Sequence, residues 1–165
     1  MKKLLFLIIV IFTTYSGFAQ TQNDNWAILD YTYSKGPVSP EYQLSYKIIL
    51  NKGGSGKLVY TKAATTSEYE FKANKKSMKK LNKKLKSSEV FSVPSDEMKT
   101  SDNMIGGPTR SMQITMWQSP DLDQRPATID VASHLNETYA DKIFSVYEQL
   151  ENMVPKSIWD KAEGR

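Results

Sequence analysis

The chain has 165 residues, and its 22 basic and 18 acidic residues give a formal net charge of +4. It contains no cysteine, which excludes disulfides and a cysteine-linked lipid anchor, so the fold must be stabilised by packing. It also contains a single histidine, which excludes multi-histidine metal sites and leaves one imidazole as a candidate catalytic base.

The first residues, MKKLLFLIIVIFTTYSGFA, have the pattern of a secretory leader. Two lysines precede an apolar run that is short for a bilayer span, and small residues follow where a signal peptidase cuts. We therefore expect a signal peptide over residues 1–19, with a retained membrane anchor as the alternative. The remaining residues, 20–165, are enough for one domain, which we expect in the periplasm or outside the cell.

Charge is unevenly distributed in the mature chain. Removal of Lys2 and Lys3 with the leader leaves 20 basic minus 18 acidic residues, or +2. Eight lysines lie in the segment Lys72–Lys86 with no acid among them, so the rest of the mature chain carries 12 minus 18, or −6. This separation of charge is the sharpest electrostatic feature of the sequence.

Alternating apolar residues predict a β-rich first half. The clearest pattern is in Glu41–Ala63, where two alternating runs flank a glycine-rich tip and predict a long hairpin. Before it, Trp26–Ser34 predicts a strand whose inward side carries Leu29 and Tyr31, with Trp26 and Ile28 on the outward side. After it, alternation around Tyr69 and Phe71 predicts a fourth strand.

The apolar period then changes to that of a helix over residues 74–87, where Met78, Leu81 and Leu85 form one stripe and Asn74 can cap the N-terminus. Two further strands are predicted, over Arg110–Trp117 and around Ala127–Val131. Asn136 is then expected to cap a second amphipathic helix, and Pro155 to end it.

The order of elements is therefore ββββ-α-ββ-α. It predicts an α+β fold with an antiparallel sheet of about six strands and two helices packed on one face. Outward strand positions carry mainly Gln, Ser, Thr and Lys, so we expect the other face of the sheet to meet water.

Two features suggest a protein-binding surface. The segment Ser92–Pro108 is rich in glycine, proline and aspartate, and loops of this length in a compact domain often carry function. Trp26 and Trp117 are the aromatic residues placed outward by the predicted strands. The candidate binding residues of this kind are Asn103, Gly106, Gly107, Arg110 and Trp117.

The lysine-rich helix 74–87 offers a different hypothesis, because clustered cations bind polyanions by releasing counterions. Lys76, Lys80 and Lys83 are the candidate contacts for an acidic polymer or a membrane surface. A solvated helix face accounts for the same lysines. The helix lacks arginine and interleaved aromatic residues, so no specific nucleic-acid site is expected.

No motif supports catalysis, a metal or a cofactor. The hairpin tip NKGGSGK lacks the first glycine and the Ser or Thr of a phosphate-binding loop. His134 has Asp130 four residues before it but no nucleophile motif, so an enzyme would need the fold to gather such groups. Two acidic clusters lack the ligand spacing of a calcium loop: Asp121 and Asp123, and Asp96, Glu97 and Asp102. We expect a non-enzymatic protein.

Several short features carry a resemblance to a group of uncharacterised exported proteins of Bacteroidota-type bacteria. They are Tyr31, Tyr33, Gly36, Pro37, Pro40 and Tyr42, then Gly106–Gly107, and finally Val154–Pro155 with Trp159. The resemblance implies an exported location and a small α+β domain, and it implies no catalytic residue. The leading hypothesis is a protein-interaction module of the cell envelope, for example an inhibitor or an immunity protein.

Overall fold

A computed structural model describes residues 25–101, 106–118 and 125–165. The expected signal peptide over residues 1–19, the candidate residue Asn103 and the acidic residues Asp102, Asp121 and Asp123 lie outside the described residues.

The described chain forms an antiparallel six-stranded sheet and four α-helices, which confirms the α+β class. The strands are β1 (Trp26–Ser34), β2 (Leu44–Asn51), β3 (Ser55–Lys62), β4 (Thr65–Lys72), β5 (Thr109–Met116) and β6 (Thr128–Val131). The helices are α1 (Lys75–Ser87), α2 (Ser95–Met98), α3 (Glu137–Glu151) and α4 (Lys156–Glu163). The spatial order of the strands is β4-β3-β2-β1-β5-β6.

Alternation gives each strand one buried side, as the sequence predicts. On β1, Leu29 and Tyr31 are buried, and Ile48 and Leu50 occupy the same side of β2. The predicted hairpin is confirmed, since β2 and β3 pair along their length, from Leu44 with Lys62 to Leu50 with Gly56.

All three longer helices contribute to a single hydrophobic cluster with this buried side of the sheet. The Asn74 side chain accepts a hydrogen bond from the Ser77 amide at 2.8 Å, and Asn136 accepts one from the Thr138 amide at 3.1 Å, so both predicted caps are present. After Pro155, which was expected to end the second amphipathic helix, the chain forms a further helix, α4. The other side of the sheet is left uncovered by helices in the described chain.

Trp26 corrects one sequence prediction. Its side chain is only 1% exposed, although the alternation of β1 placed it outward beside Ile28. The register between β1 and β5 shifts between Trp26 and Ile28, which is a β-bulge. Because a bulge inserts one extra residue into the alternation, Trp26 points into the core while Ile28 stays outward, 41% exposed.

The predicted loop Ser92–Pro108 contains a short helix and is anchored at its beginning. Met98 of α2 is buried, and its carbonyl accepts a hydrogen bond from the Asn136 amide at 2.9 Å. Lys99 forms an isolated antiparallel bridge with Leu135. This part of the loop therefore belongs to the framework that holds the start of α3.

Candidate functional site

The structure does not bring the predicted binding residues together. Arg110 begins β5 on the helix-covered side, whereas Trp117 follows the end of β5 on the outward alternation. Seven residue-to-residue steps along the strand separate the backbones of Arg110 and Trp117 by about 23 Å. Lys76, Lys80 and Lys83 are exposed on α1, on the covered side of the sheet. The predicted binding residues therefore lie on separate surfaces.

Gly106 and Gly107 lie at the end of the sheet where β1 leaves it. Both adopt positive φ, 84° and 83°, and both are exposed. Gly36, in the connection after β1, has a φ of 97°, and a Cβ there would lie 2.2 Å from the carbonyl oxygen of Gly107. Only glycine permits this approach, which places Gly107 directly against the β1–β2 connection.

Arg110 lies between two aromatic rings. Its guanidinium carbon is 5.8 Å from the ring centre of Tyr33 and 5.6 Å from that of Phe144. Arg110 and Tyr33 are direct cross-strand neighbours, while Phe144 comes from α3. Cation–π contacts of this kind hold the strand end against the helix. The sequence suggested a surface residue at this position, and the structure gives it a packing role as well.

The interior beside Arg110 holds a tyrosine and glutamate cluster that sequence reasoning missed. The hydroxyls of Tyr31 and Tyr46 both donate to Oε1 of Glu151, at 2.6 and 2.7 Å. Tyr31 also stacks on Tyr147, with 4.7 Å between ring centres, and Tyr46 meets Trp159 edge-on at 5.0 Å. These contacts tie the ends of α3 and α4 to β1 and β2.

Burial sets the protonation of this cluster. Burial first, and then the hydrogen bond to Glu151, raise the pKa of Tyr31 and of Tyr46 far above that of a free tyrosine. Burial likewise raises the pKa of Tyr147, with Arg110 acting weakly in the opposite direction. All three phenols are therefore neutral over the physiological range. Residues of four different elements, β1, β2, α3 and α4, form the cluster. In the sequence, the only feature that pointed to it was the tyrosine content of the predicted strands.

The uncovered sheet face is the most extensive candidate surface. Its outward side chains form two cross-strand ion pairs: Lys47 with Asp30 at 3.0 Å, and Lys57 with Glu68 at 2.8 Å. Gln113 of β5 donates to Asp130 of β6 at 2.7 Å. This face is thus polar over most of its area, in agreement with the prediction that it meets water.

An apolar stripe crosses this polar face diagonally. Ile28 is opposite Asn51 on β2, and Ile49 lies one outward position further along β2, opposite Asp30. On β3, Val59 is opposite Lys47, which is the next outward residue of β2 after Ile49. Single apolar residues on a surface are ordinary, whereas these three lie on consecutive strands along one diagonal. We call Ile28, Ile49 and Val59 the apolar stripe.

Trp117 extends the line of the stripe beyond β5. It is 56% exposed, and its amide donates to the Asn25 carbonyl at 2.7 Å, which keeps the backbone paired with the start of β1. On β5 the outward residue Thr115 is opposite Ile28, and Trp117 comes two residues later on the same alternation. An exposed tryptophan therefore stands at one end of the stripe.

Two hollows border the stripe. A groove of about 580 Å³ is lined by Ile28, Ile49, Asn51, Ser55, Gly56, Lys57, Glu70, Phe71 and Lys72. A second, more polar hollow of about 330 Å³ is lined by Asp30, Thr32, Lys47, Ser111, Met112, Gln113, Asp130 and Val131. The face thus has an apolar centre, charged borders and two hollows. An apolar centre with a polar border is typical of protein interfaces.

The described residues give little material for catalysis or metal binding. No group of three or more His, Asp or Glu side chains in the described ranges could hold a metal ion. The carboxylate of Asp130 accepts from Gln113 on the open face, and no hydrogen bond within the described chain joins it to His134. The carbonyl of His134 accepts from the Thr100 amide at 3.2 Å, which places His134 in the framework around α2.

Comparison with known proteins identifies no family: no protein-family model matches the chain, and no curated protein matches it. Within the described residues, no helix combines the length and apolar character needed to cross a bilayer.

Proposed function

We propose that this protein is an exported, non-enzymatic interaction module whose open sheet face binds a protein partner. The observation that carries the proposal is the apolar stripe, continued by Trp117, on a face otherwise made of ion pairs and hydroxyls. An inhibitor or immunity protein that neutralises a toxin in the cell envelope is one concrete form of this function.

The chemistry of the stripe supports a protein partner. Tryptophan is enriched among the few residues that supply most of the free energy at protein interfaces, and such interfaces have an apolar core within a polar rim. Here Asp30 and Lys47 lie on one flank of the stripe, and Lys57 and Glu70 on the other. Their charges of both signs would fix the orientation of a partner more than its affinity.

The glycine pair among the predicted binding residues, Gly106 and Gly107, can be tested separately from the apolar stripe. Gly106 and Gly107 lie near the Tyr33 end of β5, far from Trp117 at the other end. A partner that needs both regions must extend along the whole strand. A partner that needs the stripe alone will tolerate deletion of the two glycines.

The test is retention of partners from envelope extract by the immobilised mature protein. We expect the double variant Ile28→Asp/Trp117→Ala to lose a partner that the wild type retains. Tyr42→Ala is the matched control, because Tyr42 is 64% exposed but lies in the short turn before β2, outside the stripe. Equal recovery by all three folded proteins would contradict the proposal.

A second candidate function, binding to an acidic polymer or membrane surface, is favoured by α1. Lys76, Lys80 and Lys83 are all exposed, and their spacing of four and three residues places them on one side of the helix. The apolar residues of the helix are turned away from them, since Leu81 and Leu85 are buried. This side is therefore available to a polyanion.

Retention on heparin and on anionic vesicles, measured against salt concentration, tests this second function. Reversal of Lys76, Lys80 and Lys83 to glutamate should shift elution to lower salt and flatten the salt dependence. The matched control reverses Lys35, Lys62 and Lys161, which are also exposed and produce the same change in net charge. If both triple variants elute alike, net charge explains retention and α1 has no special role.

A further inference from the structure

The two edge strands of the sheet, β6 and β4, differ in what packs against them. On the β6 edge, the Ser95 hydroxyl donates to the Asp130 carbonyl, and α2 packs beside the strand. Residues 90–95 and β6 enclose a hollow of about 400 Å³ there. On the opposite edge, β4 pairs with β3 along eight residues and with no other strand of the described chain. Within the part of the chain that the structure describes, one edge is therefore partly covered and the other is unpaired.

The pairing of β4 shows which backbone groups its open edge presents. The hairpin between β3 and β4 is closed by Lys62 and Thr65 across a two-residue turn, and Ala73 after β4 donates to the Gly54 carbonyl at 2.8 Å. Odd-numbered residues of β4 therefore bond to β3. The amides and carbonyls of the even-numbered residues point outward: Thr66, Glu68, Glu70 and Lys72.

The side chains on this edge disfavour pairing with a second copy. The even-numbered residues also carry their side chains on the open face, where Glu68 and Glu70 are exposed. An antiparallel pair of β4 strands centred on Glu68 places Glu68 opposite Glu68, and one centred between Glu68 and Glu70 places each Glu68 opposite a Glu70. Like charges directly opposite one another are destabilising. Such charges also protect an edge against aggregation.

The same charges favour a strand of opposite sign. Glu70 lines the groove that reaches Ile28 and Ile49, so a strand added to β4 would extend the same open face, with β4 between it and the apolar stripe. Its side chains on the open face would meet Glu68 and Glu70 in turn. A segment with lysine or arginine at alternate positions places one cation opposite Glu70 and another opposite Glu68, whose carboxylate it would share with Lys57, while an acidic segment meets repulsion.

We propose that the open edge of β4 binds an extended segment of the partner protein as a seventh strand, with basic side chains at alternate positions facing Glu68 and Glu70. This inference rests on the proposed function for the existence of a protein partner, and it names the segment of the partner that docks. Backbone hydrogen bonds supply affinity, and the alternate charges supply register and selectivity.

The test uses a dye-labelled ten-residue peptide in which lysine alternates with valine, and follows its fluorescence anisotropy with the mature protein. One comparison peptide has glutamate in place of lysine. A second keeps every lysine but carries N-methyl groups on alternate amides, which prevents strand pairing without changing the charge. On the protein side, Glu68→Pro removes an outward amide and Glu68→Ala is its matched control, since both remove the same carboxylate.

We expect the unmodified basic peptide to bind, and both comparison peptides to bind at least about tenfold more weakly. Glu68→Pro should weaken binding at least about tenfold relative to Glu68→Ala. Circular dichroism confirms that both variants fold. Equal binding of the N-methylated peptide, equal binding by the two variants, or no binding by the basic peptide would overturn the proposal.

The peptide experiment is separable from the proposed function. Ile28→Asp/Trp117→Ala leaves β4 intact and should still bind the basic peptide. If that variant retains envelope partners as the wild type does while the edge variants lose the peptide, the open-face function fails and the edge site stands. If instead Ile28→Asp/Trp117→Ala loses the envelope partners while the edge variants still bind the peptide, the edge site is refuted and the open-face function stands.

Discussion

The indole Nε1 of Trp26 donates a hydrogen bond to the side-chain oxygen of Asn82 at 2.9 Å. This bond joins the first residue of β1 to the middle of α1, across 56 positions of sequence. It depends on the β-bulge that turns Trp26 inward, and it satisfies the one polar atom of a buried indole.

The first prediction concerns this bond. Asn82→Leu leaves the buried indole donor without an acceptor and should lower the free energy of unfolding by about 1–3 kcal/mol, measured by urea denaturation. Trp26→Phe/Asn82→Leu removes both partners, so its loss should be smaller than the sum of the two single losses. Strict additivity would show that the two side chains do not interact.

The second prediction concerns alkaline pH. A tyrosine in the unfolded chain titrates near pH 10, whereas Tyr31 and Tyr147 have raised pKa values in the folded protein. Their contribution to stability is complete below about pH 10 and decreases as pH rises above it, because the unfolded state then releases protons that the folded state keeps. Each should reduce the free energy of unfolding by up to about 1.4 kcal/mol per pH unit, the full slope being reached only well above pH 10.

Urea denaturation at pH 9, 10 and 11 measures this slope. Tyr147→Phe should make the decrease with pH shallower, since one buried titrating group is removed. Tyr42→Phe removes an exposed tyrosine and serves as the control. A wild-type stability that does not change between pH 9 and 11 would refute the linkage.

The third prediction concerns the turn between β3 and β4. Ala63 and Ala64 have φ values of 46° and 67°, the left-handed region in which alanine is strained. The substitutions Ala63→Asn and Ala64→Gly supply the residues that such two-residue hairpin turns prefer. Each should raise the free energy of unfolding by up to about 1 kcal/mol.

Thermal and urea unfolding measure the gain at this turn. Ala162→Gly in α4 is the contrasting substitution, because glycine in a helix should lower stability by about 1 kcal/mol. A loss of stability on Ala64→Gly would mean that the turn carries no backbone strain.

The fourth prediction concerns the contact between Gly36 and Gly107. Gly36→Ala combines a positive φ with a Cβ that would collide with the Gly107 carbonyl, and should cost more than about 2 kcal/mol. Gly106→Ala has a similar φ but no atom within 4 Å of the new Cβ, so it should cost only about 1 kcal/mol. Equal losses for the two variants in urea denaturation would argue against the close approach.

The candidate surface was only partly predictable. Alternation correctly placed Ile28 outward, but the diagonal line that it forms with Ile49 and Val59 appears only when the register of β1, β2 and β3 is known. Trp26 was placed outward because alternation in one strand contains no sign of a bulge, which arises from pairing with β5. The Glu151 cluster was missed because its members are more than 100 positions apart in the chain.

The sequence by itself determined the α+β class, the hairpin, both helix caps and the polar character of one sheet face. These follow from periodicity and capping, which act between residues close in the chain. Only the tertiary structure decided that Arg110 and Trp117 belong to different surfaces, that Trp26 is buried, and that β4 forms an open edge. Strand order and register set these features, because they depend on long-range pairing and the packing of helices on one face.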